Sequence, residues 1–147
     1  MERRKKNKAS LVNRTTIRVR FSEVDSMHIV WHGEYVRYFE DGREAFGREF
    51  SGLNYMEIYN SGFVAPLVKL SLDFKLPLRC GETAIVETSY INCEAAKILF
   101  EYTIFRERDM QVVATGESIQ VFLNSDGVLE LVNPKFYLDW KKRWNVK

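Results

Sequence analysis

Between Thr15 and Phe50 the chain reads TTIRVRFSEVDSMHIVWHGEYVRYFEDGREAFGREF, and its apolar period changes once within that stretch. Ile17, Val19 and Phe21 alternate with Arg18 and Arg20, so Thr15 to Phe21 predicts a half-buried strand. From Gly33 onward, Tyr35, Phe39, Gly42, Phe46 and Phe50 recur at three- and four-residue intervals. That spacing predicts a helix with one stripe turned to a core. Arg37, Glu40, Asp41, Arg43 and Glu44 fill its other faces, with Arg37 and Asp41 at i,i+4 ion-pair spacing. Gly42 weakens a helix by roughly 1 kcal/mol relative to Ala, but on the buried stripe it lets another backbone approach closely. Gly52 ends the helical region.

Outward from this stretch the pattern is simple. A short helical piece from Tyr55 to Asn60 closes at Ser61-Gly62. Strand-like runs follow at Phe63 to Leu76, Glu82 to Cys93, Lys97 to Arg106 and Met110 to Asn124, punctuated by Pro77, Gly81 and the turn Ser125-Asp126-Gly127. Phe136 to Trp144 suits a short C-terminal helix or an amphipathic tail. Consecutive strands with short links favour antiparallel pairing. One long helix and one sheet must bury each other's apolar faces. The expected fold is α+β, a curved antiparallel sheet of about five strands around one central helix. Such a sheet leaves an exposed edge, which pairing between subunits would cover, so at least a homodimer is expected.

The 147 residues suit one domain, and 46% hydrophobic with 29% charged residues is ordinary for a globular protein. Net charge is +2, but the first ten residues alone carry +4, leaving the body near −2. Residues 1–12 are expected as a basic, solvated, disordered tail and 13–147 as the single domain. A near-neutral body argues against a nucleic-acid-binding face. No apolar run reaches a bilayer span, and the basic start lacks the apolar stretch of a secretory signal. Cys80 and Cys93 have no metal-site spacing, so a reduced cytoplasmic setting is expected, with no metal and no cofactor.

The connection from Asp25 to Trp31 and the His32-Gly33 step beyond it gather one acid and both histidines of the protein at a helix start. A loop Asp is commonly a turn or cap residue. Its functional reading is a carboxylate acting as general base or nucleophile beside a helix start whose first N–H groups lack internal partners. His32 reads as a cap-like or packing residue, or as the place where its own or the Gly33 N–H donates to a substrate oxygen. Gly33 permits close substrate approach. Glu40 reads as a solvated partner of Arg37 or Arg43, or as an alternative base. Neither a Gly-x-Ser-x-Gly nucleophile elbow nor a Gly-rich phosphate loop is present.

The run from Arg18 to Arg43, with Asp25, His32, Tyr35, Phe39 and Glu40 in place, resembles the signature of hotdog-fold acyl-CoA thioesterases. Their 4-hydroxybenzoyl-CoA thioesterase and YbgC-type branch is the nearest match. Val113 to Ser118, then Val121-Phe122 and Asp126-Gly127, resemble that family's last long strand and turn, so the likeness spans about residues 15 to 133. The resemblance implies a hotdog fold, dimers or tetramers, and a site between subunits that takes an acyl-CoA or acyl-carrier-protein thioester. It implies Asp25 as catalytic carboxylate, the backbone N–H at His32 polarising the thioester carbonyl, and Gly33, Tyr35, His28 and Glu40 near substrate. Where this chain has His28 the family usually carries Gly. That departure keeps open a non-catalytic hotdog protein that binds acyl-CoA or acyl-carrier ligands. A hydratase reading ranks low, because Asp25 and His32 are seven apart where the hydratase motif has five.

Overall fold

The computed structural model describes residues 9–146. A five-stranded antiparallel sheet has the order β1-β4-β5-β6-β3, built from β1 (Leu11–Arg18), β3 (Leu67–Phe74), β4 (Thr83–Ile91), β5 (Lys97–Arg106) and β6 (Gln111–Val121). A two-stranded piece joins β2 (Phe63–Val64) to β7 (Leu123–Asn124). The helices are α1 (Glu34–Glu49), α2 (Tyr55–Asn60) and α3 (Lys135–Arg143).

The stripe expected on α1 is the buried one: Tyr35, Phe39, Gly42 and Phe46 all face the sheet. Phe39 stacks on Tyr102 with ring centroids 4.3 Å apart, and Phe46 meets Phe100 edge-on at 5.0 Å. Burying each such ring stabilises the fold by about 1.5–3 kcal/mol. Gly42 sits directly over β4: a Cβ there would stand 2.5 Å from Thr88 Oγ1 and 2.8 Å from Val86 Cγ1. Alternation holds in β4, where Ala84, Val86, Thr88 and Tyr90 are buried beneath the helix.

The first strand, the run from Phe63 to Leu76 and one ion pair differ from the sequence expectation. β1 runs from Leu11 to Arg18, not from Thr15 to Phe21, so Leu11 and Val12 lie in the sheet although they fall within the expected tail. The inward positions here are Leu11, Asn13, Thr15 and Ile17, and the polar pair masks the alternation. Asn13 is held there because its Nδ2 donates to Glu49 Oε2 on α1 at 3.0 Å. The rest of the expected tail, residues 1–8, lies outside the described residues. The run from Phe63 to Leu76 divides at Pro66, which has no N–H for a ladder. Beyond it, β3 pairs with β6 and β2 with β7. Finally, Arg37 faces Glu34 at 3.8 Å rather than Asp41.

α3 closes the far end of the core. Trp140 Nε1 donates to the Phe50 carbonyl at 2.9 Å and Trp144 Nε1 to the Ser51 carbonyl at 3.0 Å, satisfying acceptors left open where α1 ends. At the other margin, β3 pairs only with β6 and is a free edge. Its apolar face is uncovered, with Val68 60% and Phe74 53% exposed.

Candidate active site

Asp25 lies in a tight loop that leads into the start of α1. The Asp25 N–H donates to the Ile29 carbonyl and the His28 N–H to the Asp25 carbonyl, both at 2.9 Å. Asp25 Oδ1 accepts the Met27 N–H at 2.8 Å, an Asx-type turn. The turn-residue reading of Asp25 is thus realised for one carboxylate oxygen. His28 completes the turn at φ +64°, the left-handed region that favours glycine. The exposed imidazole follows from that backbone and makes no hydrogen bond among the described residues.

The loop is then laced to its surroundings. Val30 N–H donates to the Leu78 carbonyl, Ile29 bridges Arg79, and Trp31 N–H donates to the Glu23 carbonyl. Glu23 is a second anchor, since its Oε1 takes the Arg20 N–H at 2.8 Å and the Tyr38 hydroxyl at 3.1 Å. Burial and that nearby carboxylate push the Tyr38 phenol well above its usual range, so it stays protonated and remains a donor.

Gly33 is the N-cap of α1, at φ −68° and ψ −21°, with no side chain to cap the helix. Among the described residues, the His32 and Gly33 amides donate to no acceptor. The Trp31 indole lies against Gly33, where a Cβ would meet its ring at 2.2 Å, and tilts over the His32 imidazole with centroids 4.9 Å apart. The His32 side chain is exposed and makes no hydrogen bond to Asp25. What this region offers chemistry is therefore one carboxylate and two free amides of a helix start, the donors such a terminus presents to anionic oxygen.

Tyr35 is buried behind this surface. Its ring meets Phe74 of the β3 edge at 5.2 Å, and burial raises its phenol pKa against a hydrogen bond from the Leu78 backbone. Glu40 is not gathered with the others. It lies six residues along α1 from Glu34, about 9 Å of rise, and pairs with Arg43 at 2.9 Å. Arg43 continues inward to the Tyr102 hydroxyl at 3.1 Å, which meets Ser118 Oγ at 2.6 Å. A groove of about 1140 Å³ runs along α1 past Arg20, Arg37, Arg43 and Tyr55 and does not include Asp25, His32 or Gly33. Asp25 itself is only partly buried. Glu23 and Trp31 were not singled out from the sequence; a Trp directly before the His32-Gly33 helix start was the available signal. No cluster of three or more His, Cys, Asp or Glu suited to a metal occurs among the described residues, and no helix there is long and apolar enough to cross a membrane.

A family model described as "Thioesterase-like superfamily" matches residues 19–139. The chain is 31% identical over 130 residues to a Bacillus subtilis protein named "Putative acyl-CoA thioesterase YneP", covering 88% of this chain and 92% of that one. A hypothetical protein of Thermus thermophilus, TT1821, superposes with a TM-score of 0.77 at 29% identity, over 88% of this chain and 97% of that chain. Slr0204 of Synechocystis, a 1,4-dihydroxy-2-naphthoyl-CoA thioesterase, superposes at 0.80 over 92% of this chain and 99% of its own. At 18% identity it speaks for the hotdog fold alone.

Proposed function

This chain belongs to the thioesterase-like superfamily, and from that membership we propose that it hydrolyses an acyl-CoA thioester to a free acid and CoA. The observations that support the reading are the His32 and Gly33 amides, which donate to no acceptor among the described residues, and the Asp25 carboxylate, held by its own turn in the loop that leads into α1. A thioester carbonyl seated against those amides gains electrophilicity, and the oxyanion formed on attack is stabilised by the same donors. Asp25 supplies the nucleophile, or the base that deprotonates water, through the oxygen not committed to Met27. No metal or organic cofactor enters this scheme.

The same reading places the site between two copies of the chain in a homodimer. Its support is the uncovered apolar face of β3, which adjoins the site through the contact of Phe74 with Tyr35. An edge of this kind is covered in a stable protein by pairing with a second strand. A reducing cytoplasmic setting suits Cys80 and Cys93, both free thiols. The exposed His28 flanks Asp25 and is assigned to the acyl side of the site, where it restricts which acyl groups fit.

The amide role has a direct test, because Gly33 already has the φ that proline enforces. Gly33→Ala and Gly33→Pro both introduce the Cβ that displaces Trp31, but only proline removes the N–H. Thiol release from a panel of acyl-CoAs should fall by about 10²–10³ in kcat for proline relative to alanine. Equal rates for the two variants would remove the Gly33 amide from the mechanism.

A further inference from the structure

A second group of ionisable side chains lies beyond the C-terminal end of α1, a helix about 24 Å long. There Lys141 Nζ donates to the Cys93 carbonyl at 3.0 Å and stands 4.7 Å from the centroid of the Tyr137 ring. The Tyr137 hydroxyl donates to the Lys97 carbonyl at 3.0 Å, and Cys93 Sγ lies 3.9 Å from that same oxygen. The Tyr137 hydroxyl also meets that of Tyr90. Thiol and amine are therefore gathered around one buried phenol, while both Cys93 and Lys141 keep partial access to solvent.

Nothing in the hydrolytic scheme uses this cluster. The Cys93 thiol is free, and Lys141 takes part in none of the ion pairs among the described residues. Burial holds the Lys141 amine below the usual lysine range, against the opposing pull of Cys93 and Glu94. A larger fraction is then neutral and nucleophilic. Lys142, its neighbour in sequence, is exposed.

We propose that Cys93 and Lys141 form a self-acylation site, in which the thiol accepts an acyl group from an acyl-CoA thioester and passes it to the amine. In the first step the Cys93 sulfur attacks the thioester carbonyl. The bond to the CoA sulfur breaks, and CoA leaves with the proton that Cys93 gave up. In the second step Lys141 Nζ attacks the new S-acyl carbonyl, the C–S bond breaks, and the amine proton returns to the Cys93 sulfur. The net change is acyl-CoA plus lysine to acyl-lysine plus CoA, with no oxidant or other reactant. The Lys141 stem, pinned at its tip by the Cys93 carbonyl, needs only side-chain rotation to reach the sulfur.

The test is incubation of the full chain with excess acetyl-CoA under mildly alkaline conditions, followed by peptide mass spectrometry. Lys141 should acetylate about tenfold faster than Lys142, and Cys93→Ser should remove that advantage while leaving Lys142 unchanged. Lys141→Arg should leave a hydroxylamine-sensitive acetyl group on Cys93. Asp25→Asn should label Lys141 like wild type, which separates this site from the hydrolytic one. Equal labelling of Lys141 and Lys142, or an unchanged Lys141 rate in Cys93→Ser, would overturn the proposal.

Discussion

His28 shows how a single residue carries two constraints at once. It occupies φ +64° because the Asp25–His28 turn requires it. A left-handed conformation costs an L-residue about 1–2 kcal/mol, which Gly avoids. That is a physical reason for Gly to suit this turn, and for any other residue here to be felt first in the backbone. His28→Gly should therefore hold or slightly raise stability, whereas His28→Val should lower it by about 1–2 kcal/mol. Urea unfolding of both variants checks this; equal stability for Gly and Val would show that the turn is not conformationally demanding. The same residue scale explains what the sequence left unread at the site. Asp25 and His32 were legible as an acid and a helix-start marker. The anchoring of Trp31 and Tyr38 by Glu23 joins residues through tertiary contacts that no local pattern encodes.

Among the elements, α1 and its seat on β4 are the most exacting. Gly42→Ala gains about 1 kcal/mol of helix propensity. It also drives a methyl into Thr88 and Val86, and such overpacking costs about 1–3 kcal/mol. The steric effect wins, so Gly42→Ala should lose about 1 kcal/mol net, and adding Val86→Ala should recover part of the loss. Thermal or urea denaturation of the single and double variants decides it; a stabilised Gly42→Ala would mean that α1 sits further from the sheet. The helix was readable because its stripe is apolar at every contact position. The first turns of β1 were not, because Asn13 and Thr15 point inward and Asn13 is accepted only through its bond to Glu49. Lys97–Arg106, by contrast, has the limits that alternation alone assigned, since no polar residue interrupts its buried face until Tyr102, whose hydroxyl is satisfied by Ser118 and Arg43.

At the level of the whole molecule, the proposed homodimer rests on the exposed apolar side chains of the β3 edge. Val68→Lys places a charge on that edge and should convert a dimer to a monomer in sedimentation velocity, with thiol release falling in parallel. A monomeric wild type would detach the site from any subunit boundary. The fold could be anticipated from period changes and strand order, but the packing of Tyr35 from the start of α1 against Phe74 of β3 joins residues far apart in sequence that no local pattern links. The central claim concerns one carboxylate, and steady-state thiol release by Asp25→Asn against wild type tests it most directly. Asn keeps the side-chain oxygen that accepts the Met27 N–H, so the turn and the circular dichroism spectrum should be preserved while kcat falls by roughly 10³-fold or more. A folded Asp25→Asn protein that turns over within a few-fold of wild type would contradict the account.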